Sequence, residues 1–336
     1  MKTVLVTGGA GYIGSHTVRV LKRAGYGVVV YDNFSRGHLE AVEGFSVVEG
    51  DTADSRLLKK VLQEQEIDAV MHFAAHSQVG ESVAQPRLYY ENNVIGGLKL
   101  LEAVLDAGIK HFIFSSSAAV YGEPESVPIT EGHPLKPTNP YGETKVIIER
   151  ALAYYEQAYG LKSVSLRYFN AAGAAVEGGI GEDHDPETHL IPLALKAVLD
   201  QDKPLTIFGD DYPTADGTAV RDYIHVDDLA VAHLLALEAL INGKTTSVYN
   251  LGNGSGFSVL EVIRAAEQVT GRKVPYTIGP RREGDPAVLV ASADKARAEL
   301  GWQPSYASLK KIIETAWEWH LNNPTGKERL MTSLDI

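Results

Sequence analysis

Short apolar runs alternate with helical stretches through the first half of the chain. The apolar runs are mostly continuous, which is typical of strands that are covered on both faces of a parallel sheet. They are TVLVT (3–7), GVVVYD (27–32), FSVVEGD (45–51), AVMHFAA (69–75), HFIFSSS (111–117) and SVSLRYF (163–169). The helical stretches between them are IGSHTVRVLKRAG, DSRLLKKVLQEQ and GETKVIIERALAYYEQAYG. This β-α-β-α order predicts an α/β fold with a doubly wound parallel sheet.

The pattern changes after about residue 170, where a long loop rich in glycine and polar residues begins (170–189). Loops of this length are more often functional than idle. Helices are predicted at 226–241, from the capping box of Ser258 and Glu261 to Gly271, and after Ser308. We therefore predict a first domain over 1–170 with a returning segment near 218–245. A smaller mixed α/β domain is predicted over 171–336.

Composition narrows the class of protein. The chain has 336 residues, of which 44% are hydrophobic and 22% charged, as in ordinary globular proteins. It contains no cysteine, which excludes disulfides and thiolate sites, and no metal site is predicted. The net charge of −12 argues against nucleic-acid binding. No apolar stretch approaches the roughly 20 residues of a membrane span, and the apolar start is too short for a signal peptide, so a cytoplasmic protein is expected.

A glycine-rich turn follows the first predicted strand. In TGGAGYIG (7–14), Gly8, Gly11 and Gly14 are three residues apart, and Gly9 completes a G-x-G-x-x-G pattern. Such a turn between a strand and a helix binds a dinucleotide pyrophosphate in Rossmann-type domains. Asp32 ends the second strand 18 residues after Gly14, where an acid meets the ribose hydroxyls and favours NAD over NADP. Arg36 nearby leaves NADP as an alternative.

Two further strand ends are candidates for contact with the dinucleotide. Asp51 ends the third strand and either meets the adenine or is a simple turn acid. The segment FAA (73–75) ends the fourth strand, where small residues would let a cofactor cross the sheet edge.

The segment NPYGETK (139–145) places Tyr141 and Lys145 one helical turn apart. Two solvated surface residues are the ordinary explanation of such a pair. A tyrosine base would need its pKa of ~10 lowered by about three units, or roughly 4 kcal/mol. A lysine ammonium ~6 Å away supplies about 3 kcal/mol at an effective dielectric of ~20, and a positive nicotinamide would supply the remainder. In SSSAAVYG (115–122), Ser117 would orient the same substrate oxygen, although three serines also suit a polar strand end.

The sequence resembles the extended short-chain dehydrogenase/reductase family over residues 1–320 or so, and within it the UDP-glucose 4-epimerases. Twelve blocks in order carry the resemblance: VTGGAGYIGSHT, YDN, HFAA, VGESV, YYENNV, FSSSAAVYG, NPYGETK, RYFNAAG, IFGDDYPTADGT, VRDYIHVDDLA, YNLGNGSG and RREGDPA.

The resemblance implies an isomerase that uses bound NAD to interconvert UDP-glucose and UDP-galactose by inversion at C4 through a 4-keto sugar. Tyr141 would be the acid/base, with Lys145 and Ser117 as its partners. The implied cofactor contacts are Gly8, Gly11, Tyr12, Ile13, Gly14, Asp32, Asn33, Asp51, Thr52, Phe73, Ala74, Ala75, Asn92, Ser115, Tyr141, Lys145 and Tyr168. The implied substrate contacts are Ser117, Tyr141, Asn170, His189, Leu190, Thr206, Phe208, Arg221, Arg282, Asp285 and Leu289. A homodimer is expected through the helix that carries Tyr141 and the helix at 93–107.

The chain departs from some members of the family at three positions. Some carry lysine where Ser77 stands and asparagine where His189 stands, so the roles of these two residues are open. Narrow-specificity members carry tyrosine at Leu289, and the smaller leucine predicts a sugar pocket wide enough for a 2-N-acetyl group.

Three alternatives accompany this interpretation. A nucleotide-sugar 4,6-dehydratase would need an acid pair after the strand-five serine, where this chain has Ala118 and Ala119. A UDP-pentose 4-epimerase is harder to separate, because losing the C6 hydroxymethyl group changes few contacts. A non-catalytic NAD-binding sensor would keep the glycines but would not need Ser117, Tyr141 and Lys145 together.

Overall fold

The computed structural model describes residues 1–282 and 285–323. The strands are β1 (Thr3–Thr7), β2 (Gly27–Asp32), β3 (Ser46–Glu49), β4 (Ala69–His72), β5 (His111–Ser115), β6 (Lys162–Tyr168), β7 (Asn170–Ala172), β8 (Leu205–Phe208), β9 (Val220–His225), β10 (Ser247–Leu251), β11 (Gly256–Ser258), β12 (Tyr276–Gly279) and β13 (Val288–Leu289). The helices are α1 (Tyr12–Arg23), α2 (Ser55–Glu64), α3 (Val79–Ala84), α4 (Pro86–Tyr89), α5 (Gly97–Asp106), α6 (Pro140–Tyr159), α7 (Leu190–Leu199), α8 (Val226–Ile241), α9 (Val259–Thr270), α10 (Asp294–Leu300) and α11 (Leu309–Asn322).

A seven-stranded sheet in the order β10-β6-β5-β4-β1-β2-β3 forms the first unit. Every neighbouring pair in it is parallel. This confirms the predicted doubly wound α/β fold. Several strands end earlier than predicted: β4 ends at His72 and β5 at Ser115. The residues that follow them leave the sheet at its carboxyl edge, which is where ligands bind in such folds.

Helices cover both faces of the sheet, as the continuous apolar strands require. On one face the core joins α1 and α8 to the strands, with Leu21 and Leu237 fully buried. On the other face α2, α5 and α6 bury Leu58, Leu101 and Ile148. Parallel strands covered on both sides have no polar face, so their sequences need not alternate.

A smaller unit follows β6. One sheet has the order β11-β9-β13, with β7 paired to β9, and a second pairs β8 with β12. Helices α7, α9 and α11 enclose a separate core around Leu195, Ile263 and Ile313. The α9 helix begins with the predicted capping box and ends at Gly271, whose φ is +68°.

The chain crosses between the two units more than once. After β9 it returns to the first unit as α8 and then as β10, which forms the edge of the large sheet next to β6. The predicted returning segment near 218–245 contains α8. Residues 283–284 of the RREGDPA block and residues 324–336 of the predicted second domain lie outside the described part of the chain.

Among residues 1–282 and 285–323, none of the helices has the length and apolar character needed to cross a bilayer.

Candidate active site

The turn between β1 and α1 depends on its glycines. Gly8 has a φ of +71°, and a Cβ there would overlap the backbone nitrogen of Ala74 at the end of β4. A Cβ at Gly14 would overlap the carbonyl oxygen of Gly8 and lie 2.8 Å from the Cα of Gly9. The α1 helix begins after Gly11 without a side-chain cap, so its first amides remain for an anionic ligand.

A groove runs from this turn across the carboxyl edge of the sheet. A Cβ at Gly11 would meet only the oxygen of Gly8 at 3.3 Å, so the groove side of this residue is open. Predicted cofactor residues that line the groove are Gly8, Gly11, Asp32, Asn33, Thr52, Phe73, Ala74, Ala75 and Asn92. It is also lined by Tyr31, Ser35, Arg36, Gly37, Gly50 and His76, which were not predicted as contacts.

Asp32 lies in the wall of the groove. Its carboxylate accepts hydrogen bonds from the backbone nitrogens of Ala10 and Phe34, both at 2.9 Å. Arg36, which left NADP open as an alternative, donates instead to the carbonyl of Asp185 and to the carboxylate of Glu81 at 2.9 Å. The Arg36 guanidinium is therefore engaged in hydrogen bonds within the protein, and Asp32 is the charged residue expected to meet the ribose.

Asp51 follows β3 and stands between Gly50 and Thr52, which line the groove. Asn33 Nδ2 donates to its carboxylate at 2.8 Å, and the backbone nitrogen of Ala53 donates to the other oxygen at 2.8 Å. Asp51 therefore has the hydrogen bonds of a turn acid, and these position the Asn33 side chain.

Three predicted catalytic side chains meet where the end of β5 approaches the start of α6, namely those of Ser117, Tyr141 and Lys145. Asn139 caps α6 by accepting from the nitrogen of Gly142 at 2.9 Å, and Pro140 opens the helix. A Cβ at Gly142 would overlap the carbonyl oxygen of Ala119, so this glycine allows close packing. Tyr141 is thereby brought within hydrogen-bonding reach of Ser117.

Lys145 lies one turn further along α6, beneath the tyrosine. Its Nζ is 5.7 Å from the centre of the Tyr141 ring, close to the ~6 Å used for the sequence estimate. The same nitrogen donates to the carbonyl oxygen of Ser115 at 2.7 Å. The Ser115 hydroxyl in turn lies 2.5 Å from that of Tyr168. The ends of β5 and β6 therefore hold the lysine in place.

The electrostatics of this cluster differ from the expectation. Burial raises the pKa of Tyr141 above its usual value, and the hydrogen bond with Ser117 lowers it only in part. Burial also lowers the pKa of Lys145 to about 7, although the Glu149 carboxylate acts to raise it. Burial therefore dominates in the protein without a ligand, an effect that the sequence estimate left out. The expected lowering of the tyrosine pKa concerned the protein with a positive nicotinamide bound, and it stays a prediction.

Six of the predicted substrate residues form two groups in the smaller unit, and Asn170 lies on β7. Arg221 on β9 donates to the Asp285 carboxylate at 2.5 Å, and Leu289 on β13 pairs with Arg221 in the sheet. The Arg282 guanidinium lies 4.0 Å from the centre of the Phe208 ring. Phe208 is on the exposed side of β8, as is Thr206. Asn170 donates to the carbonyl of Asp222 at 2.9 Å.

Other predicted residues use their side chains for contacts within the protein. The Tyr12 hydroxyl donates to the carbonyl of Gly173 at 2.6 Å, Ile13 packs against the core, and Leu190 packs against the core of the smaller unit. The His189 ring is held by Glu182 and Glu187 at 2.8 and 2.9 Å. Tyr12 and Ile13 can therefore contact a cofactor through their backbone amides. Ser77 is exposed in the loop after β4.

Comparison with known proteins identifies the family. The sequence profile of the NAD dependent epimerase/dehydratase family matches residues 4–252. The chain belongs to this family.

Relatives and solved structures of the family match nearly the whole chain. A UDP-glucose 4-epimerase of Halalkalibacterium halodurans is 54% identical over 96% of this chain and 97% of that protein. One of Lactobacillus helveticus is 53% identical over 97% and 99%. The Brucella ovis UDP-glucose 4-epimerase, solved in complex with NAD, has a TM-score of 0.93 at 49% identity, covering 95% and 98%. That of Bifidobacterium longum, solved with NAD+ and UDP, has a TM-score of 0.90 at 41% identity, covering 96% and 99%.

Two networks around the epimerase-family site were not predicted from the sequence. Asn93, in the π-helical turn between α4 and α5, accepts from the nitrogen of His76 at 2.9 Å and donates to Thr144 Oγ1 at 3.1 Å. It links the loop after β4 to the helix that carries the tyrosine. Such π turns often mark functional sites. The second network joins Glu149 to Arg167, and both side chains are buried. In the sequence, the only sign of this pair was an acidic residue in a predicted helix and a basic residue in a predicted strand.

Proposed function

We propose that this protein interconverts UDP-glucose and UDP-galactose by inversion at C4, with NAD as a bound cofactor. The observation that carries the proposal is the cluster of Tyr141, Ser117 and Lys145 beside a dinucleotide groove. It is found in a chain about half identical over its whole length to named UDP-glucose 4-epimerases.

The residues that line the groove suit the parts of NAD. The open face of Gly11 and the uncapped start of α1 suit a pyrophosphate, and Asp32 suits an unmodified ribose. When bound, NAD supplies the hydride acceptor and donor at the sugar carbon. Its positive charge would also offset the burial that raises the pKa of Tyr141.

The protein's own groups handle the proton of the sugar hydroxyl. Tyr141 Oη takes this proton and later returns it, and Ser117 orients the same oxygen through its hydroxyl. Lys145 is fixed by the Ser115 carbonyl and stabilises the phenolate when it carries its own proton. Because burial lowers the pKa of Lys145 to about 7, the charge of Glu149 helps to keep that proton in place.

Arg221 and Arg282 are proposed to bind the diphosphate, with Asp285 positioning Arg221. Guanidinium groups can make paired hydrogen bonds to phosphate oxygens. A firmly held nucleotide would let the keto sugar turn over and present its other face. Leu289 lies next to Arg221 in the sheet and is proposed to widen the sugar pocket for a 2-N-acetyl group.

The test is incubation of the purified protein with UDP-galactose without added NAD, following UDP-glucose. Turnover is expected, and Tyr141→Phe should retain NAD while losing activity by orders of magnitude. An unchanged rate in that variant would remove the tyrosine from the mechanism. UDP-N-acetylglucosamine and a UDP-pentose are assayed in parallel. No turnover of UDP-N-acetylglucosamine, together with good activity on UDP-galactose, would contradict the wide sugar pocket. A preference for the UDP-pentose would favour the pentose 4-epimerase alternative. A 4,6-dehydratase would instead release a 4-keto-6-deoxy product.

We also propose a homodimer through α6 and the segment leading into α5. Ile95, Tyr154 and Tyr159 are 49%, 69% and 56% exposed there and offer apolar surface to a partner subunit. Light scattering should give a dimer at micromolar concentration. Tyr154→Glu should weaken it, whereas Tyr276→Glu on β12, also exposed, should not. A monomer in the unaltered protein would refute the proposal. The cytoplasmic location remains a prediction from the sequence.

A further inference from the structure

The long loop between β7 and α7 gathers two histidines and two glutamates. Glu182, His184, Glu187 and His189 each offer one donor atom, and these atoms all lie within 4.8 Å of one another. Glu182 Oε1 is 3.1 Å from His184 Nδ1 and 2.8 Å from His189 Nδ1. Glu187 Oε1 is 2.9 Å from His189 Nδ1.

Burial makes this cluster unlike a surface ion pair. The side chains of Glu182 and Glu187 are each 4% exposed, which is rare for glutamate unless it is paired or binds a metal. Moreover, Glu187 Oε2 is buried and has no hydrogen-bond partner among the described residues. An oxygen left in this way carries a desolvation cost that a cation would remove.

The donor set and its spacing match a four-coordinate transition metal. Zinc would displace the Nδ1 protons that His184 and His189 share with the carboxylates and release them to solvent. One divalent ion then neutralises the two carboxylates. Zinc takes imidazole nitrogen and carboxylate oxygen at about 2.0–2.2 Å, so tetrahedral donors lie about 3.3–3.5 Å apart. The three shortest contacts, of 2.8 to 3.1 Å, would widen by a few tenths of an ångström, and the remaining pairs, all within 4.8 Å, would close to the same spacing. Magnesium and calcium prefer all-oxygen sites, which favours zinc here.

We propose that Glu182, His184, Glu187 and His189 bind one structural Zn²⁺. This departs from the sequence analysis, which predicted no metal site and gave His189 to the substrate. The His184 ring packs edge-on against Tyr12 at 6.1 Å, and Trp319 on α11 donates to the Glu182 carbonyl at 3.0 Å. His189 is the residue from which α7 begins.

The metal would therefore fasten the loop to the start of α1, to α7 and to α11. The four ligands are other residues than Tyr141, Lys145 and Ser117, so zinc binding can be tested independently of the proposed reaction. The side chains of His184 and His189 are 23% and 42% exposed, which leaves a path from solvent for the ion.

The test begins with the full chain, stripped by a chelator and then titrated with ZnCl₂ against a chromophoric competitor. Metal content after desalting is measured by mass spectrometry, and Co²⁺ is used as a spectroscopic replacement. We expect one zinc per chain, visible bands of tetrahedral Co²⁺, and a higher melting temperature with zinc. Glu187→Gln should weaken zinc binding at least about 100-fold, because even partners outside the coordination sphere contribute 10–100-fold. Glu177→Gln is the control, since Glu177 is in the same loop but exposed and paired with Arg23.

Two results would overturn the proposal. One is zinc binding weaker than micromolar in the unaltered chain, which would make the cluster a network of ion pairs. The other is equal zinc binding by Glu187→Gln and Glu177→Gln, which would place the ion elsewhere. If Glu187→Gln does not fold, His184→Asn replaces it, because that side chain is partly exposed and leaves both carboxylates in place.

Discussion

Replacing Glu149 with glutamine should test the buried support beneath the active site. The Glu149 and Arg167 side chains are 6% and 5% exposed. Arg167 donates to the two carboxylate oxygens through Nε at 2.9 Å and Nη2 at 2.5 Å, and Ser116 Oγ donates at 2.5 Å. Glutamine keeps the size of the side chain but removes its charge. Arg167 is then left buried without a counter-charge.

The free energy of unfolding should fall by a large amount, because the buried Arg167 guanidinium stays desolvated after its counter-charge is gone. Removing one partner of a buried ion pair typically costs about 3–5 kcal/mol. Glu156, on the same helix, pairs with Lys162 at 2.7 Å, but these side chains are 25% and 39% exposed. Solvent screens such a pair, so Glu156→Gln should cost less than about 1 kcal/mol.

The assay is urea unfolding monitored by circular dichroism. The free energies of unfolding of the two variants are compared using the same dependence on urea concentration. A double variant, Glu149→Leu with Arg167→Met, should recover most of the loss, since it removes both charges of the buried pair. If Glu149→Gln destabilises the protein no more than Glu156→Gln, the buried pair does not support the fold as argued. If the double variant is no better than the single one, the loss comes from packing rather than from charge.

Three further outcomes follow from the structure. Gly14→Ala should abolish retention of NAD, measured as dinucleotide released on denaturation, whereas Gly80→Ala, which meets no atom within 4 Å, should not. Phe208→Ala should raise KM for the UDP-sugar about fivefold with little change in kcat, because a stacked guanidinium at Arg282 contributes about 1 kcal/mol; an unchanged KM would count against the stacking. Burial raises the pKa of Asp222 from 3.8 to about 6, so the folded chain holds this proton more tightly than the unfolded chain. The free energy of unfolding should therefore fall by roughly 2 kcal/mol from pH 4 to 6, and Asp222→Asn should flatten this slope in urea titrations at each pH.

Local patterns predicted the elements that short stretches of chain specify. The α8 helix runs over 226–241 as predicted, and the Ser258–Glu261 capping box is formed. The ends of β4 and β5 were predicted too long, because an apolar run does not reveal where hydrogen bonding to the neighbouring strand stops. The pairing of β10 with β6 joins segments about 80 residues apart, which periodicity does not report.

The residues of the candidate site also fall into those that local patterns predicted and those that they did not. The glycine turn and the Tyr141–Lys145 pair were visible because each lies within one short motif. Asn93 and the Glu149–Arg167 pair were missed because their partners come from distant segments. The effect of burial on the pKa of Tyr141 was left out for a related reason. Charge separation can be guessed from helical spacing, but the burial that raises this pKa depends on the whole fold.

The position of β10 at the edge of the large sheet has a consequence during synthesis on the ribosome. Until Leu251 has emerged, β6 presents an open hydrogen-bonding edge, because its partner strand has not been made. At about 5–20 residues per second, the roughly 80 residues between these strands take about 4–16 s to appear. During that interval the nascent chain is exposed to pairing with other chains, so chaperone protection should matter most between the completion of β6 and that of β10.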